Sequence, residues 1–256
     1  MNVSRLFLLI PVLAFLACSS SSAESPQSVE ALRKEVEALK TSQAEMQKSL
    51  DEIREFLKAA TGGRFGRPSL VDSSFDVAGA PINGSNTAPV TLIEISDYHC
   101  PFCRRHVQQT QPQLNSEYVN TGKVRHVFIH YPIEQLHPDA FKSHEAASCA
   151  GEQGKFWQLH TKLFEAPAKS SDQLTELARS AGLDVTAFRG CLDSGKYGEA
   201  VRQSVSRIQN LGVSGTPMFL LGTTTSGSQV KVQKTVEGAQ PYSAFKTAID
   251  TLLAQK

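Results

Sequence analysis

The chain has almost no charge bias: 26 basic residues stand against 25 acidic ones, a formal net charge of +1. That balance offers a nucleic acid no positive surface, so no nucleic-acid partner is expected. Long hydrophobic runs are missing too. The one apolar stretch, Leu6 to Ala17, falls short of the roughly 20 residues that cross a bilayer as a helix. A second C-x-x-C is absent, and the histidines form no set with zinc-ligand spacing. His126 and His130 are four apart, but in a strand-like segment where that offset converges poorly on one ion, so no metal site is expected. There are no internal repeats and no low-complexity tract beyond a short serine run. What is present is a chain of 256 residues, 40% hydrophobic, enough for one large domain with a buried core plus appendages.

The apolar stretch follows Arg5 and has the length of a signal-peptide core, so export is expected. Two processing outcomes fit. Cleavage after Ala23 uses Ser21 and Ala23 as its small residues, giving a signal peptide of 1–23. Alternatively, Phe15-Leu16-Ala17-Cys18 resembles a bacterial lipobox, with residues 1–17 removed and Cys18 lipidated as a membrane anchor. The tract Ser19 to Ser22 is then a flexible tether.

Residues 28–60 carry Val29, Leu32, Val36, Leu39, Gln43, Met46, Leu50, Ile53 and Leu57 at alternating steps of three and four, with no Gly or Pro among them. Eight of those nine positions are apolar and the stripe is narrow, as a coiled-coil seam is. A homo-oligomer through this helix is expected; the alternative is a helix packed on its own domain. The Gly- and Pro-bearing segment Thr61 to Pro68 then stops the helix, within a linker at 61–73.

The five cysteines are Cys18, Cys100, Cys103, Cys149 and Cys191. Setting Cys18 aside leaves an even number, consistent with one active pair plus a Cys149–Cys191 bridge, or with two buried free thiols. Cys100-Pro101-Phe102-Cys103 ends the apolar run Val90 to Ser96 and opens a segment able to form a helix. With no second ligand pair for zinc, it reads as a redox dithiol. The helix is expected to run to about Asn120, kinked by Pro112 and stopped by Gly122, with a strand at Lys123 to Tyr131 in a right-handed parallel crossover. Helix-like sequence fills about 138–211. Met218 to Leu221 and Val230 to Val236 read as a hairpin around a turn at Gly222 to Ser228, and Pro241 to Gln255 as a closing helix with Phe245, Ile249 and Leu252 or Leu253 inward.

At a helix N-terminus, unpaired N–H groups stabilise an anion. Cys100 is therefore expected to be the exposed nucleophile, with Pro101 in the first turn and Cys103 the buried resolving thiol. His99 either supports the Cys100 anion when protonated or is a solvated surface residue, and Arg104 and Arg105 are read as solvated. Glu94, a carboxylate in an apolar strand, either points to a polar face or is buried, in which case desolvation raises its pKa. Trp157 is read as core of the helical segment.

Three separated words, Ser96-Asp-Tyr-His-Cys-Pro-Phe-Cys103, Gly154-Lys-Phe-Trp157 and Leu211-Gly-Val-Ser-Gly-Thr-Pro217, occur in the order found in the thioredoxin superfamily. The stretch of about 75 to 255 resembles its DsbA-like exported thiol-disulfide oxidoreductases. The resemblance implies an α/β thioredoxin fold over 74–256 with an inserted helical domain; the N-terminal α-helical coiled coil lies outside it. It further implies that Pro217 is cis and faces the dithiol. Thr216, Pro101, Phe102 and His99 would meet substrate, and Glu94 would relay the proton of Cys103. No cofactor is implied beyond the Cys100–Cys103 disulfide. Implied partners are unfolded or partly folded exported proteins and a membrane redox partner, in the bacterial periplasm. The Cys-Pro-x-Cys centre resembles an oxidase, whereas Thr216 before the cis proline and the stalk resemble the DsbC-like isomerases.

Overall fold

In a computed structural model, residues 26–60, 69–168, 170–226 and 228–255 are described; the expected signal segment with Cys18, and most of the linker, lie outside them. The chain divides into two units at Phe65/Gly66.

In the first unit, α1 runs from Pro26 to Ala60, about 50 Å at 1.5 Å per residue. Of the expected seam, Leu32, Val36, Leu39, Met46, Leu50 and Ile53 are exposed in the single chain.

The second unit is built on a six-stranded sheet, in the order β1-β6-β5-β3-β4-β2. Its strands are β1 (Ser74–Asp76), β2 (Ile82–Asn83), β3 (Val90–Ser96), β4 (Val124–His130), β5 (Met218–Ser226) and β6 (Gln229–Glu237). Only β3 and β4 are parallel among these pairs. Every residue of β3 is buried, as a central strand covered on both faces requires. The unit begins earlier than the linker was expected to end: Leu70 is buried, and Asp72 and Ser73 exchange backbone hydrogen bonds with Val232 at 2.8 and 2.9 Å.

The crossover from β3 to β4 is α2 (Pro101–Gln109), α3 (Gln111–Leu114) and a π-turn at Asn115–Val119. The single bent helix that was expected is interrupted at Thr110, because Pro112 has no N–H to give to the carbonyl four residues earlier. Gly122, at φ +73°, ends the segment as expected.

Two loop assignments are corrected. Ile82–Asn83, within the segment Gly79 to Pro89 whose glycines and prolines read as a loop, pairs with Val127 and His126 as an edge strand. Most of the presumed turn at Gly222 to Ser228 is strand, because β-branched Thr223 to Thr225 continue the ladder past an irregularity at Leu221/Gly222. Glycine is required there: a Cβ on Gly222 would meet the Lys231 carbonyl oxygen at 1.9 Å.

Five helices fill the expected insertion: α4 (Ala140–Glu152), α5 (Phe156–Glu165), α6 (Ser171–Ser180), α7 (Val185–Asp193) and α8 (Gly198–Asn210). Ser170 caps α6 by accepting from Gln173 N, and Asp184 caps α7 by accepting from Ala187 N. The inner faces supply Ala146, Ala150, Leu159, Leu163, Phe164 and Phe188 to a core that also holds Tyr98, Phe128 and both active-site cysteines. The helical insertion therefore shares its core with the dithiol. The closing helix α9 (Tyr242–Leu253) buries Phe245, Ile249 and Leu252.

Cys149 of α4 and Cys191 of α7 form a disulfide, 42 residues apart in sequence. This resolves the choice between a bridge and two free thiols. Closing a loop of that length contributes about 4 kcal/mol by chain-entropy reasoning. The double variant C149A/C191A is expected to lose about 2–4 kcal/mol in urea unfolding while retaining exchange at Cys100. An unchanged midpoint would show that the bridge constrains nothing that unfolds.

Candidate active site

The segment Ser96 to Cys103 leaves the carboxyl end of β3 and turns into α2. Asp97 holds that turn. Its carboxylate, fully buried, accepts from the backbone N–H of His99 and of Ile133, each at 2.8 Å, and contacts His137 Nδ1 at 2.9 Å. Its carbonyl accepts from Cys100 N at 3.1 Å. Asp97 was not singled out in the sequence; the available signal was an aspartate directly after a buried strand, two residues ahead of an N–H it could accept from.

Cys100 occupies the N-cap position of α2, with extended backbone angles (φ −71°, ψ 123°), and Pro101 follows in the first turn. Its side chain is buried, not exposed as expected. The reason is the loop at Thr216–Pro217, whose peptide bond is cis. The Thr216 carbonyl accepts from Cys100 Sγ at 3.4 Å, covering the sulfur. The cis proline and its position opposite the dithiol agree with the resemblance. Pro101 and Phe102 remain exposed at the rim, and the Arg105 guanidinium lies 5.3 Å from the Phe102 ring centre.

Both cysteines are reduced in this structure, and their environments differ. Cys100 is lowered to about 6, first by the hydrogen bond from the Cys103 thiol, against some desolvation, and then by the Thr216 hydroxyl and the N–H groups of Cys103 and Phe102. The Thr216 hydroxyl has no other partner. Cys103 is pushed well above its ordinary value by burial and by the neighbouring Cys100 anion, with the Ser96 hydroxyl pulling weakly the other way. The first thiol is therefore largely a thiolate at neutral pH and the second stays protonated.

His99 matches neither expectation. It is half-buried, with Nε2 3.0 Å from Ser143 Oγ, and burial lowers its pKa. It is neutral at neutral pH and brings no positive charge to Cys100. Arg104 is not solvated either, since its Nε is buried without a hydrogen-bond partner. Arg105 Nη2 reaches the Ala239 carbonyl at 3.3 Å.

Glu94 is buried, on the face of β3 toward α2, and Oε2 lies 2.8 Å from His126 Nε2. Its expected rise in pKa does not occur: burial pushes it up, but the His126 hydrogen bond and positive field outweigh this and hold it at about 2. His126 in turn packs 5.0 Å from the ring of Trp157, whose Nε1 donates to the Ile82 carbonyl at 3.0 Å. Trp157 is thus half-buried, packed against the core of the insertion and joining α5 to the sheet edge. His130, on the same strand, is engaged elsewhere, its Nδ1 2.8 Å from His144 Nδ1. Tyr98, which the sequence reading passed over, is buried against Phe128, Phe164 and His144 behind the dithiol.

Residues 77–251 match a family model described as thioredoxin. The chain is 34% identical over 142 residues to the Na(+)/H(+) antiporter NhaA 3 of Salinispora tropica, a match spanning 55% of this chain and 21% of that protein. It is 30% identical over 142 residues to the probable disulfide bond formation protein D of Bacillus anthracis, across 52% of this chain and 65% of the relative. It therefore spans about a fifth of the antiporter and just under two thirds of the second relative. Among solved structures, Wolbachia pipientis α-DsbA1 superposes with a TM-score of 0.60 at 21% identity, covering 70% of this chain and 92% of that one. That likeness makes the fold DsbA-like.

The Thr216 hydroxyl beside Cys100 gives a direct check. Thr216→Val removes a donor to the thiolate and is expected to raise the Cys100 pKa by about 0.5 to 1 unit, read from the pH profile of iodoacetamide alkylation. The linkage has a definite sign. Cys100 sits at about 6 when folded, below its ordinary 9.0. The thiolate's contribution to the stability of the reduced form is then complete above about pH 9 and is lost as pH falls through 6. Urea unfolding of the reduced protein should show that loss between about pH 9 and 6, while the oxidised protein, which lacks the group, should not.

Proposed function

The chain belongs to the thioredoxin family, and from that premise we propose that it is an exported thiol-disulfide oxidoreductase that forms disulfides in cell-envelope proteins. The observation that carries this reading is the position of the Cys100 sulfur, at the N-cap of α2 beside Cys103 and beneath the loop that carries the cis Pro217. A disulfide whose attacked sulfur leaves as a stabilised thiolate is a strong oxidant, because the reduced product is favoured. Reduced substrate attacks Cys100 Sγ, Cys103 leaves, and a second substrate thiol then displaces Cys100. The substrate disulfide forms and the protein is left as a dithiol. A membrane redox partner would restore the Cys100–Cys103 disulfide; no cofactor enters.

Substrate contact falls to the rim. The exposed Phe102 and Pro101 offer apolar surface, and the backbone at Thr216–Pro217 offers an extended peptide β-type pairing, which reads main chain and tolerates many sequences. Glu94, ionised and tied to His126, is the base within the fold that serves the proton of Cys103. The export segment of 1–23, or lipidation at Cys18, would place the protein in the periplasm or on its bounding membrane.

A second reading, an oligomeric isomerase or reductase, is supported by one separate observation: the apolar seam of α1 is uncovered in the single chain. A row of large apolar side chains on a long helix gains about 1.5–3 kcal/mol per side chain when another copy covers it. A non-enzymatic, lipid-anchored adaptor is disfavoured by the presence of both thiols, reduced and unequally ionised, in one site.

Two assays separate the readings. The oxidised protein should restore activity to reduced RNase; recovery only of scrambled RNase would displace the oxidase assignment in favour of isomerase. Cys100→Ala should abolish both. The reduction potential should lie near −120 mV, the range of strong oxidants, and a value near −270 mV would mark a reductant. For the stalk, removal of residues 25–60 should reduce the molar mass seen in light scattering to that of a single chain.

A further inference from the structure

Two histidines behind the dithiol form a chain that the exchange reaction does not use. His144 of α4 is fully buried, and its Nε2 accepts from the backbone N–H of Tyr98 at 3.4 Å, two residues before Cys100. Its Nδ1 lies 2.8 Å from Nδ1 of His130, the last residue of β4. His130 Nε2 lies 3.3 Å from Ser148 Oγ, whose own proton goes to the His144 carbonyl at 3.2 Å. His130 and Ser148 are part-buried and line an open cleft of about 730 Å³, with Phe156, Trp157, Tyr197 and Arg207 among its other walls. The chain thus runs from a surface cleft to the turn that carries Cys100.

Counting protons fixes the state of the pair. A backbone N–H can only donate, so His144 Nε2 is bare and the His144 proton sits on Nδ1. Nδ1 of His130 is then the acceptor, and the His130 proton sits on Nε2, facing Ser148. A third proton breaks a bond wherever it lands. On His130 Nδ1 it sets two N–H groups against each other across 2.8 Å. On His144 Nε2 it faces the Tyr98 N–H, and the acceptor within reach is Asp97 Oδ1, 4.0 Å away and already accepting from His99 N.

We propose that His130 and His144 position the turn that carries Cys100, and that a proton entering the pair from the cleft releases that turn and slows the site in acid. Both are positioning residues, acting through Tyr98 and Asp97. Burial pushes His130 down to about 4 and His144 well below its ordinary value, so the pair is neutral and the turn is held at neutral pH. The titratable and charged groups facing the pair are Asp97, Tyr98 and His99 from the turn, His160 from α5, and Tyr197 and Arg207 across the cleft. His99 and His160 oppose a charge on His144, whereas Asp97 favours it and would draw the charged ring toward itself. Release shifts Cys100 from the N-cap, where the N–H groups of Phe102 and Cys103 hold its thiolate. Reactivity then falls by more than simple reprotonation of the thiol accounts for.

The test is the rate of iodoacetamide alkylation at Cys100 in reduced full-length protein from about pH 7 to 3.5, with hydrogen exchange of the Tyr98 amide beside it. A thiol that only reprotonates, with its midpoint at about 6, loses about tenfold in rate per pH unit below that value. The wild type should lose about a further tenfold between about pH 5 and 3.5, the worth of one hydrogen bond. Protection of the Tyr98 amide, corrected for intrinsic exchange, should fall by a similar factor while that of the β3 amides holds. His130→Asn keeps an acceptor toward His144 but cannot take the proton, so its rate should follow the plain slope of about tenfold per unit. His144→Leu should slow alkylation about tenfold at pH 6, and His144→Gln, whose carbonyl can accept from Tyr98, should recover most of that loss. Equal slopes in the wild type and His130→Asn would overturn the proposal. So would a His144→Gln protein no faster than His144→Leu, since that marks a ring that only fills space. Should a variant fail to fold, the wild-type Tyr98 amide decides alone, and constant protection down to about pH 3.5 overturns the proposal. Alkylation needs no protein substrate, so a wild type that oxidises no RNase would sink the oxidoreductase reading and leave these outcomes standing.

Discussion

The site depends on a carboxylate that takes no part in the chemistry. Asp97 sits where the chain must stop being strand and become helix within three residues, and it accepts from groups on both sides of that turn. Its bond to His99 N fixes the turn itself, and its bonds to Ile133 N and His137 tie the turn to the loop after β4. Cys100 is thereby delivered to the N-cap, the one position where free N–H groups point at its sulfur. A residue earlier, the sulfur would lie alongside the sheet; a residue later, it would turn into the helix barrel. The ionisation of Cys100 is thus a consequence of where β3 ends.

A second consequence is the inequality of the two thiols. Both are buried, so burial alone would raise both. The difference is the supply of donors: Cys100 receives the Cys103 thiol, the Thr216 hydroxyl and backbone N–H groups, whereas Cys103 lies deeper beside an anion. Covering Cys100 with the Thr216 loop costs access but excludes water, which strengthens each of those hydrogen bonds. Phe102 and Pro101, left exposed, keep an approach open at the rim. Burial and reactivity are therefore compatible here.

Most of the fold was legible because its signals are local. The apolar run of Val90 to Ser96, the dithiol after it, the stop at Gly122 and the spacing of Phe245, Ile249 and Leu252 each mark an element without reference to distant sequence. The corrections all involve groups whose partners are remote in the chain. Ile82–Asn83 is a strand only because Val127 and His126 lie beside it. Gly222 to Ser226 reads as turn by composition, yet the β6 ladder holds it extended. Glu94 was legible as a buried acid but its ionisation was not, since that depends on His126, 32 residues away. The cover over Cys100 likewise comes from Thr216, 116 residues on. Asp97 was missed for a different reason: a turn-holding carboxylate stands out only when its surroundings are known.

The Glu94–His126 pair shows what the interior tolerates for the sake of chemistry. Removing an ionised carboxylate and its polar partner from water costs several kcal/mol, and well-packed apolar residues of similar volume would often be no less stable. One oxygen of Glu94 is left without a hydrogen-bond partner, as is Nε2 of His160 and both nitrogens of His106. Such groups raise the free energy of the fold individually, and they occur together on the side of the sheet that faces the dithiol helix. A fold under selection for stability alone would replace them with leucine and phenylalanine, the residues that already surround them at Leu92, Phe128, Phe219 and Phe245.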